Sequence, residues 1–391
     1  MTGYVGEVAQ IKQGQSFLIN QRVGRFDFRC DSPVTPDFLF YFLRHPETRS
    51  TIENMARGSA QPNLGSADAA KLLVPVPSLV EQRKIVTALS TLDEKIDLNR
   101  RINQTLEAMA QAIFKSWFVD FDPVKAKIAA KAEGRDPLCA AMSAISGKAE
   151  DELDALPPEQ YEQLAATAAL FPDQMVESEL GEIPEGWSIS NMRALAQVIS
   201  KGTTPSKEDL ANADDKPIVP FIKVKDISES GEIVRDGLEV IAKSIHKSSL
   251  KRSILEEDDL LFSIAGTIGR TAFVDGDLHG ANTNQAVAFI RLRNKPYHFP
   301  LCWLTLRSRE TKIFIASKVV QAVQANASLA NIGDIPLILP DDSLVGIFNT
   351  LTAPPIREYR ARQSEARMLA KLRDTLLPKL LSGELSVAEL D

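Results

Sequence analysis

Apolar residues recur at alternating spacings of three and four in the long stretch that follows Ser78. The positions at this spacing are Ile85, Leu89, Leu92, Ile96, Asn99, Asn103, Leu106, Ala110, Ile113 and Trp117. A 3-4 repeat sustained for about five heptads is typical of a coiled-coil seam. No proline or glycine interrupts it between Ser78 and Val119. The pattern therefore predicts one continuous helix over 78–119, with polar residues in mid-seam that fix its register and partner.

A second and less regular apolar stripe lies near the end of the chain. Its members are Ile356, Tyr359, Leu369, Leu372, Leu376 and Leu380. The pair Pro354-Pro355 predicts a break at the start of this helix. We expect residues 341–391 to pair antiparallel with the first long helix as a spacer, with Leu106 and Leu372 in the buried stripes.

Between Trp187 and Pro340 the pattern is mixed and predicts strands. The segment 219–227 alternates apolar and basic residues, which predicts a strand with Lys223 and Lys225 on its open face. Alternating lysines are also typical of an ordinary solvated strand face. The apolar runs 260–264 and 286–290 predict two further strands.

The same order of features occurs twice in the chain, at an offset of 263 or 264 residues. Each copy contains a Gly-x-x-Gly, an Asn-Gln pair, an apolar helical stretch, a lone Asn, an apolar run that ends in proline, and a long helix. The matching pairs are Gly3–Gly6 with Gly266–Gly269, Asn20-Gln21 with Asn284-Gln285, 37–44 with 300–307, Asn63 with Asn331, and 72–77 with 335–340. Residues 187–265 precede the motif in the second copy and residues 1–2 precede it in the first. The sequence thus predicts an internal duplication whose first copy is either truncated at its N-terminus or encoded by a reading frame that begins upstream of Met1.

The bulk composition indicates a soluble protein of two or three domains. The chain has 391 residues, of which 44% are hydrophobic and 25% are charged. It contains no apolar run of transmembrane length and no signal-peptide pattern, so we expect a cytoplasmic protein. The three cysteines are far apart in the sequence and there are four histidines, so we do not expect a metal site.

The net charge of −7 is concentrated in one region. Residues 120–186 contain 15 Asp and Glu against 5 Lys and Arg, which leaves about +3 for the rest of the chain. These residues predict an acidic linker of short helices separated by turns. Its acidic face could repel stray DNA, meet a basic partner or be simply solvated. The remaining chain can present basic surfaces to phosphates.

Several polar residues have the side chains that DNA recognition uses. Lysine and arginine neutralise phosphates, Ser and Thr bind the backbone, and Asn, Gln and Arg recognise base edges. In the second copy these candidates are Lys201, Thr203, Thr204, Lys207, Lys223, Lys225, Ser263, Thr267, Arg270, Asn284 and Gln285. In the first copy they are Tyr4, Asn20, Gln21 and Arg22. The Asn-Gln pair can equally cap a turn.

Motifs of common enzyme classes are absent from the sequence. It contains no Gly-x-Gly-x-x-Gly, no phosphate-loop Gly-Lys-Ser/Thr, and no Asn-Pro-Pro-Tyr/Phe of adenine methyltransferases. The segment Ala353-Pro354-Pro355-Ile356 lacks both ends of the last motif. We therefore expect a chain without catalytic activity.

The chain resembles the specificity subunits of type I restriction–modification systems. The resemblance rests on the Pro-x-Pro segment followed by Glu-Gln at 74–86, on 115–124, on 179–187 and on the C-terminal 376–385. The second copy departs from the family pattern, because Asp341-Asp342 stand where a Glu-Gln pair is expected.

The resemblance implies an α+β fold with two target-recognition domains joined by antiparallel coiled-coil helices. The implied segments are a partial first recognition domain (1–77), a helix (78–119), an acidic linker (120–186), a second recognition domain (187–340) and a second helix (341–391). Each recognition domain would bind half of a bipartite site in double-stranded DNA. The helices would dock two methyltransferase subunits, and restriction subunits would join later. S-adenosylmethionine, ATP and magnesium would belong to those partners, and this chain would bind no cofactor itself.

The resemblance also implies which residues contact the methyltransferase subunits. They are Glu81, Gln82, Arg83, Trp117 and Phe118. Two alternatives stay open from the sequence. One is a degenerate subunit or one that recognises a single half-site, and the other is a coiled-coil scaffold that does not recognise DNA.

Overall fold

A computed structural model describes residues 5–11, 14–56, 64–213, 215–320 and 326–385. The chain divides into two compact units. Unit 1 comprises Met1–Asn103 and Ala361–Asp391, and unit 2 comprises Gln104–Arg360. Tyr4 and Asn63 lie outside the described residues. Within the described ranges, every helix is too short or too polar to span a lipid bilayer.

Helices and strands are numbered in chain order over the described ranges. The helices are α1 (Pro36–Arg44), α2 (Pro46–Met55), α3 (Ser66–Ala69), α4 (Leu79–Phe118), α5 (Asp122–Glu133), α6 (Pro137–Ser146), α7 (Glu150–Leu153), α8 (Pro158–Ala169), α9 (Met192–Leu195), α10 (Lys207–Ala211), α11 (Lys243–Lys247), α12 (Lys295–Arg307), α13 (Arg309–Val320), α14 (Leu329–Gly333) and α15 (Asp342–Ser382). The strands are β1 (Met175–Ser178), β2 (Gly181–Pro184), β3 (Ser188–Asn191), β4 (Ala196–Lys201), β5 (Pro217–Ile222), β6 (Glu239–Ala242), β7 (Leu260–Ser263), β8 (Thr271–Phe273), β9 (Asn282–Thr283), β10 (Val287–Leu292) and β11 (Pro336–Leu339).

The helix predicted from the heptad pattern is α4, and its ten seam positions are all buried or half-buried. Within unit 1, α4 pairs antiparallel with α15. Arg373 donates a hydrogen bond to Asp93 at 2.6 Å, and Asn99 donates to Glu365 at 3.1 Å, so residue numbers rise along one helix as they fall along the other. The apolar residues buried beside this pairing are Ile85, Leu89, Leu377 and Leu380. The predicted α+β fold with long antiparallel helices is confirmed.

Two details predicted for the second long helix are wrong. Pro354 and Pro355 lie inside α15, which continues through them. Phe348 before them and Ile356 after them are both buried in the core of unit 2. Burying such side chains is worth roughly 1.5–3 kcal/mol each, which offsets much of the cost of about 3 kcal/mol per proline. Leu372 is 46% exposed, because the contact with α4 at this level is made by the neighbouring Arg373.

In unit 2 a four-stranded antiparallel sheet in the order β4-β10-β7-β8 carries the core. Alternate residues of β10 belong to two different apolar clusters. Ala288 and Ile290 pack with Trp303 of α12, whereas Val287 and Phe289 pack on the opposite side. Both faces of this sheet are therefore buried. A second sheet has the order β6-β5-β9, and two strand pairs, β1-β2 and β11-β3, complete the unit.

The predicted strand over 219–227 is wrong at its C-terminal end. Strand β5 ends at Ile222, and Val224–Asp226 forms a 3₁₀ turn. The carboxylate of Asp226 accepts a hydrogen bond from the Lys223 amide at 2.8 Å, which favours the turn over a continued strand. Lys223 and Lys225 therefore lie on a loop rather than on a strand face.

Candidate nucleic-acid interface

Three loops of unit 2 meet at one edge of the four-stranded sheet. The end of β4 lies beside the start of β10, because Lys201 is opposite Ala288. The start of β10 lies beside the end of β7, because Val287 is opposite Ser263. The connections that follow β4 and β7 and precede β10 must emerge together. A fourth segment, 223–227 after β5, joins these three, because the Asn284 amide bonds Ile222 O at the end of β5. We call residues 201–207, 223–227, 263–270 and 283–286 the loop edge; it contains all eleven candidates predicted for the second copy.

The loop after β4 crosses the loop before β10 at very short range. Thr203 donates its amide hydrogen to Thr283 O at 3.1 Å, and the Thr204 hydroxyl donates to Gln285. A Cβ atom on Gly202 would lie 1.8 Å from Thr283 O, so only glycine permits this crossing. Thr203, Thr204 and Gln285 are exposed above it. The crossing thus presents two hydroxyls and one amide side chain to solvent.

Asn284 shapes the turn at the centre of the loop edge. Its side-chain oxygen accepts the Ala286 amide at 3.2 Å, and its carbonyl accepts the Val287 amide at 3.2 Å. Its own amide donates to Ile222 O at 3.3 Å, which joins the end of β5 to this edge. Asn284 is half-buried and Gln285 is exposed, so Gln285 is the better placed of the two for contact with a base.

The Ser263 side chain stabilises the Gly-x-x-Gly loop through two hydrogen bonds. It is fully buried, donates to Thr267 O at 2.5 Å and accepts the Arg270 amide at 2.8 Å. These bonds assign Ser263 to the interior of the loop rather than to a DNA-facing surface. Gly266 and Gly269 have φ values of +71° and +90°, and Thr267 between them is exposed.

Arg270 positions a neighbouring segment of the loop edge. It is half-buried, and its guanidinium donates to Ile227 O at 2.8 Å. Lys223 and Lys225 of that segment both pair with Glu239, the latter at 3.3 Å. The bond from Lys223 is the main reason that the pKa of Glu239 is lowered, so this carboxylate stays ionised and competes with phosphate for both lysines.

Among the basic residues of the loop edge, Lys201 and Lys207 have the fewest competing contacts within the described ranges. Both are exposed, and no ion pair is found for either within the described ranges. Lys207 opens α10, whose N-terminus is capped by Ser206 and Asp209. These two lysines are therefore better placed for phosphate contact than Lys223 and Lys225.

The sequence did not single out Gly202 or Asn282, which position this edge. Asn282 is fully buried beside the crossing and donates to Leu250 O at 3.0 Å and to Ser253 Oγ at 3.2 Å. A glycine that directly follows a strand was a usable signal for Gly202. No local sequence signal pointed to Asn282, because its hydrogen-bond partners lie about thirty residues away in the chain.

The first copy repeats the central turn. Asn20 accepts the Arg22 amide on its side-chain oxygen at 2.9 Å and the Val23 amide on its carbonyl at 3.1 Å, which are the two bonds made by Asn284. Asn20, Gln21 and Arg22 are all exposed. Strands are described only in unit 2, so this turn has no sheet beneath it in the described residues.

Of the residues expected to contact partner subunits in unit 1, only Arg83 is exposed without a described side-chain bond. Glu81 is also exposed but accepts the Ser78 amide at 2.9 Å in a capping arrangement, and the Ser78 hydroxyl first and its amide second lower the pKa of Glu81. Gln82 is fully buried: it donates to Pro33 O at 2.7 Å and accepts the Thr35 amide at 2.9 Å. Its bonds tie the segment before α1 to the start of α4.

In unit 2 the burial of Trp117 and Phe118 assigns both to the core. They are 2% and 5% exposed. The Trp117 ring meets Phe171 edge-on at 5.1 Å, and the Phe118 ring meets Phe348 edge-on at 4.8 Å. The resemblance implied partner contacts for both residues, but their rings are buried and stabilise the core of unit 2. Among the described residues, no group of three His, Cys, Asp or Glu side chains could hold a metal ion.

Comparison with known proteins identifies the family. The model of the type I restriction modification DNA specificity domain matches residues 1–108 and 184–344, so the domain occurs twice. The HindI specificity subunit of Haemophilus influenzae is 32% identical over 90% of this chain and 78% of its own. The MjaIX specificity subunit of Methanocaldococcus jannaschii is 24% identical over 91% and 71%. The type I restriction–modification S subunit of M. genitalium superposes with a TM-score of 0.44 and 14% identity over 88% of this chain and 72% of its own.

The two matched segments contain both copies of the Asn-Gln turn and the whole loop edge. They cover more than half of the chain, and the similarity to the Haemophilus subunit extends across nearly all of it. The chain therefore belongs to the type I restriction–modification DNA specificity family, whose members are non-catalytic recognition subunits.

Proposed function

We propose that this chain recognises a bipartite site in double-stranded DNA, with the loop edge of unit 2 contacting one half of the site. The observation that carries the proposal is the convergence of four separate segments at one sheet edge. Exposed Thr204 and Gln285 supply donors and acceptors for base edges, and Lys201 and Lys207 supply charge for phosphates. A side-chain set that is scattered over 80 residues of sequence becomes one surface.

Family membership supports a proposal about the wider assembly. We propose that two methyltransferase subunits dock on the chain and bring S-adenosylmethionine, and that restriction subunits bring ATP and magnesium. The partner contacts proposed at 78–119 rest on exposed residues such as Arg83. Residues 187–340 are the proposed complete recognition domain and 1–77 the partial one, with 120–186 as an acidic linker. Work on genomic DNA with these partners would take place in the cytoplasm.

One observation favours a narrower alternative, in which a single half-site is recognised. Residues 14–31, which include the Asn20 turn, are all exposed. The corresponding turn of the second copy is supported by β5 and β10. The first copy would then contribute helices to the assembly and little to base recognition.

The deciding experiment maps DNA methylation. The chain is co-expressed with its cognate methyltransferase subunit in a host without adenine methylation, and N6-methyladenine is located across the genome. A motif in two parts supports the proposal, and a single or palindromic half-site supports the alternative. A stable complex that methylates nothing would overturn both.

A further inference from the structure

A basic segment, residues 243–252, lies on the second sheet of unit 2. It comprises α11 and the 3₁₀ turn that follows, and it contains no Asp or Glu. Ile245 and Leu250 anchor it, being 3% and 1% exposed in a cluster with Phe221 of β5. The exposed residues of the segment include its four cations, Lys243, Lys247, Lys251 and Arg252. No ion pair is found for these four within the described ranges.

Two contacts join this basic segment to the loop edge. Asn282, which leads directly into the Asn284 turn, bonds Leu250 O at 3.0 Å and the His246 ring at 2.7 Å. On the other side, the Asp209 carboxylate accepts the Ser206 amide of the loop edge at 2.9 Å, and Ser249 of the basic segment lies near enough to contribute, after Ser206, to the lowered pKa of Asp209. The basic segment is therefore continuous with the surface that carries Gln285, Lys201 and Lys207.

A third contact fixes the start of the segment. Ser244 donates its amide hydrogen to the Asp215 carboxylate at 3.1 Å, and its hydroxyl bonds the same group. Buried apolar anchors and hydrogen bonds at both ends hold the backbone in place. The cations thus form a positioned array rather than a flexible tail, which reduces the entropy lost when they bind an extended anion.

We propose that the basic segment is a phosphate-contacting flank of the DNA site, which positions the duplex without recognising its bases. This inference rests on the proposed function and adds a second class of contact to it. A DNA strand carries one phosphate about every 3.4 Å, so cations spread over ten residues can meet several phosphates in succession. Lys223 and Lys225 are poorer candidates, since both already pair with the Glu239 carboxylate.

The test compares two triple variants of the full chain that remove the same number of charges. One is Lys247→Ala, Lys251→Ala and Arg252→Ala. The control is Lys125→Ala, Arg309→Ala and Lys312→Ala, which are exposed residues of the same unit. Affinity for a fluorescent duplex carrying the methylated motif, and for a scrambled duplex of equal length, is measured over a range of KCl concentrations.

The basic-segment variant should bind both duplexes roughly tenfold more weakly or worse near 0.1 M salt, and its log–log salt slope should fall by about one per cation that contacts phosphate. The preference for the motif over the scrambled duplex should not change. A third variant, Lys247→Arg with Lys251→Arg, keeps these charges and should match the unmodified chain in both quantities. Equal melting temperatures for the two triple-alanine variants exclude misfolding as the cause. Equal affinity and slope in the basic-segment and control variants would overturn this inference alone. Absence of DNA binding by the unmodified chain would overturn the proposed function as well.

Discussion

The Asn-Gln turn has the same two local hydrogen bonds in both copies, but its surroundings differ. Asn284 also bonds the end of β5, and the following Val287 is fully buried in β10. Asn20 lies in a stretch of exposed residues, and the corresponding Val23 is 54% exposed. The turn is therefore encoded locally, whereas the surface around it depends on strands contributed by distant sequence. Residues 187–265, which precede the Gly-x-x-Gly motif of the second copy, contain five strands, β3 to β7.

The largest effect is expected from Gly202→Ala, which removes the close crossing on which the second copy depends. The added methyl group would overlap Thr283 O, so the loops must separate, at a cost of about 2 kcal/mol or more. Thermal unfolding should show a clear loss of stability. Gly346→Ala is the matched control, because nothing lies within 4 Å of its Cβ and alanine favours the helix by roughly 0.5–1 kcal/mol. Equal melting temperatures for the two variants would contradict the described crossing.

Gln82→Ala tests whether the buried Gln82 side chain stabilises unit 1, for which no strand is found among the described residues. It would leave the carbonyl of Pro33 and the amide of Thr35 without their side-chain partner, which should cost about 2–3 kcal/mol. Hydrogen exchange should increase in peptides from unit 1. The exposed neighbour Arg83→Ala should stay within about 0.5 kcal/mol of the parent. If the two variants exchange alike, Gln82 does not have the structural role assigned to it.

The paired variants Asn284→Ala and Asn20→Ala test whether the turn of the second copy is better supported by its surroundings than the turn of the first. Each removes one side-chain hydrogen bond within the same turn. Replacing the half-buried Asn284 should lower the free energy of unfolding by about 1 kcal/mol. Replacing the exposed Asn20 should lower it by less than about 0.5 kcal/mol. Chemical denaturation followed by peptide-resolved exchange gives both values. A larger loss for Asn20→Ala would mean that the first turn is better supported than its exposure indicates.

The smallest effect concerns acid stability in unit 1. Burial alone would raise the pKa of Asp93, but bonds from Arg373 and Tyr41 and the charge of Arg44 lower it below the usual value. A lowered folded-state pKa contributes stability above the unfolded value, near 3.9, and that contribution is lost as the pH falls through the folded value. Asp93→Asn should therefore weaken unit 1 at pH 7 and differ less from the parent below about pH 4. A constant difference between pH 7 and pH 3 would contradict this.

Features that depend on nearby residues could be predicted from the sequence. The heptad spacing located α4, and the repeated Asn-Gln pair pointed to a turn that both copies form. The alternative that Asn284 caps a turn is correct, and it leaves Gln285 as the more exposed member of the pair.

Features that depend on distant contacts could not be predicted. Gln82 and Trp117 looked like partner contacts because their segments are typical of the family, yet their side chains are buried within their own units. The strand predicted through Lys225 ends early because Asp226 binds the Lys223 amide. Nothing local revealed that Thr204 and Gln285 meet across 81 residues of chain.

If the loop edge of unit 2 recognises bases, removing its exposed hydroxyl and amide side chains should change the DNA motif that the complex methylates. The genome-wide methylation motif is determined for the double variant Thr204→Ala and Gln285→Ala, for the parent, and for the exposed control Gln160→Ala and Gln163→Ala on α8. We expect relaxed base preference in one half of the motif for the first variant, with the other half unchanged and the control identical to the parent. An unchanged motif in all three would contradict the placement of base recognition at the loop edge.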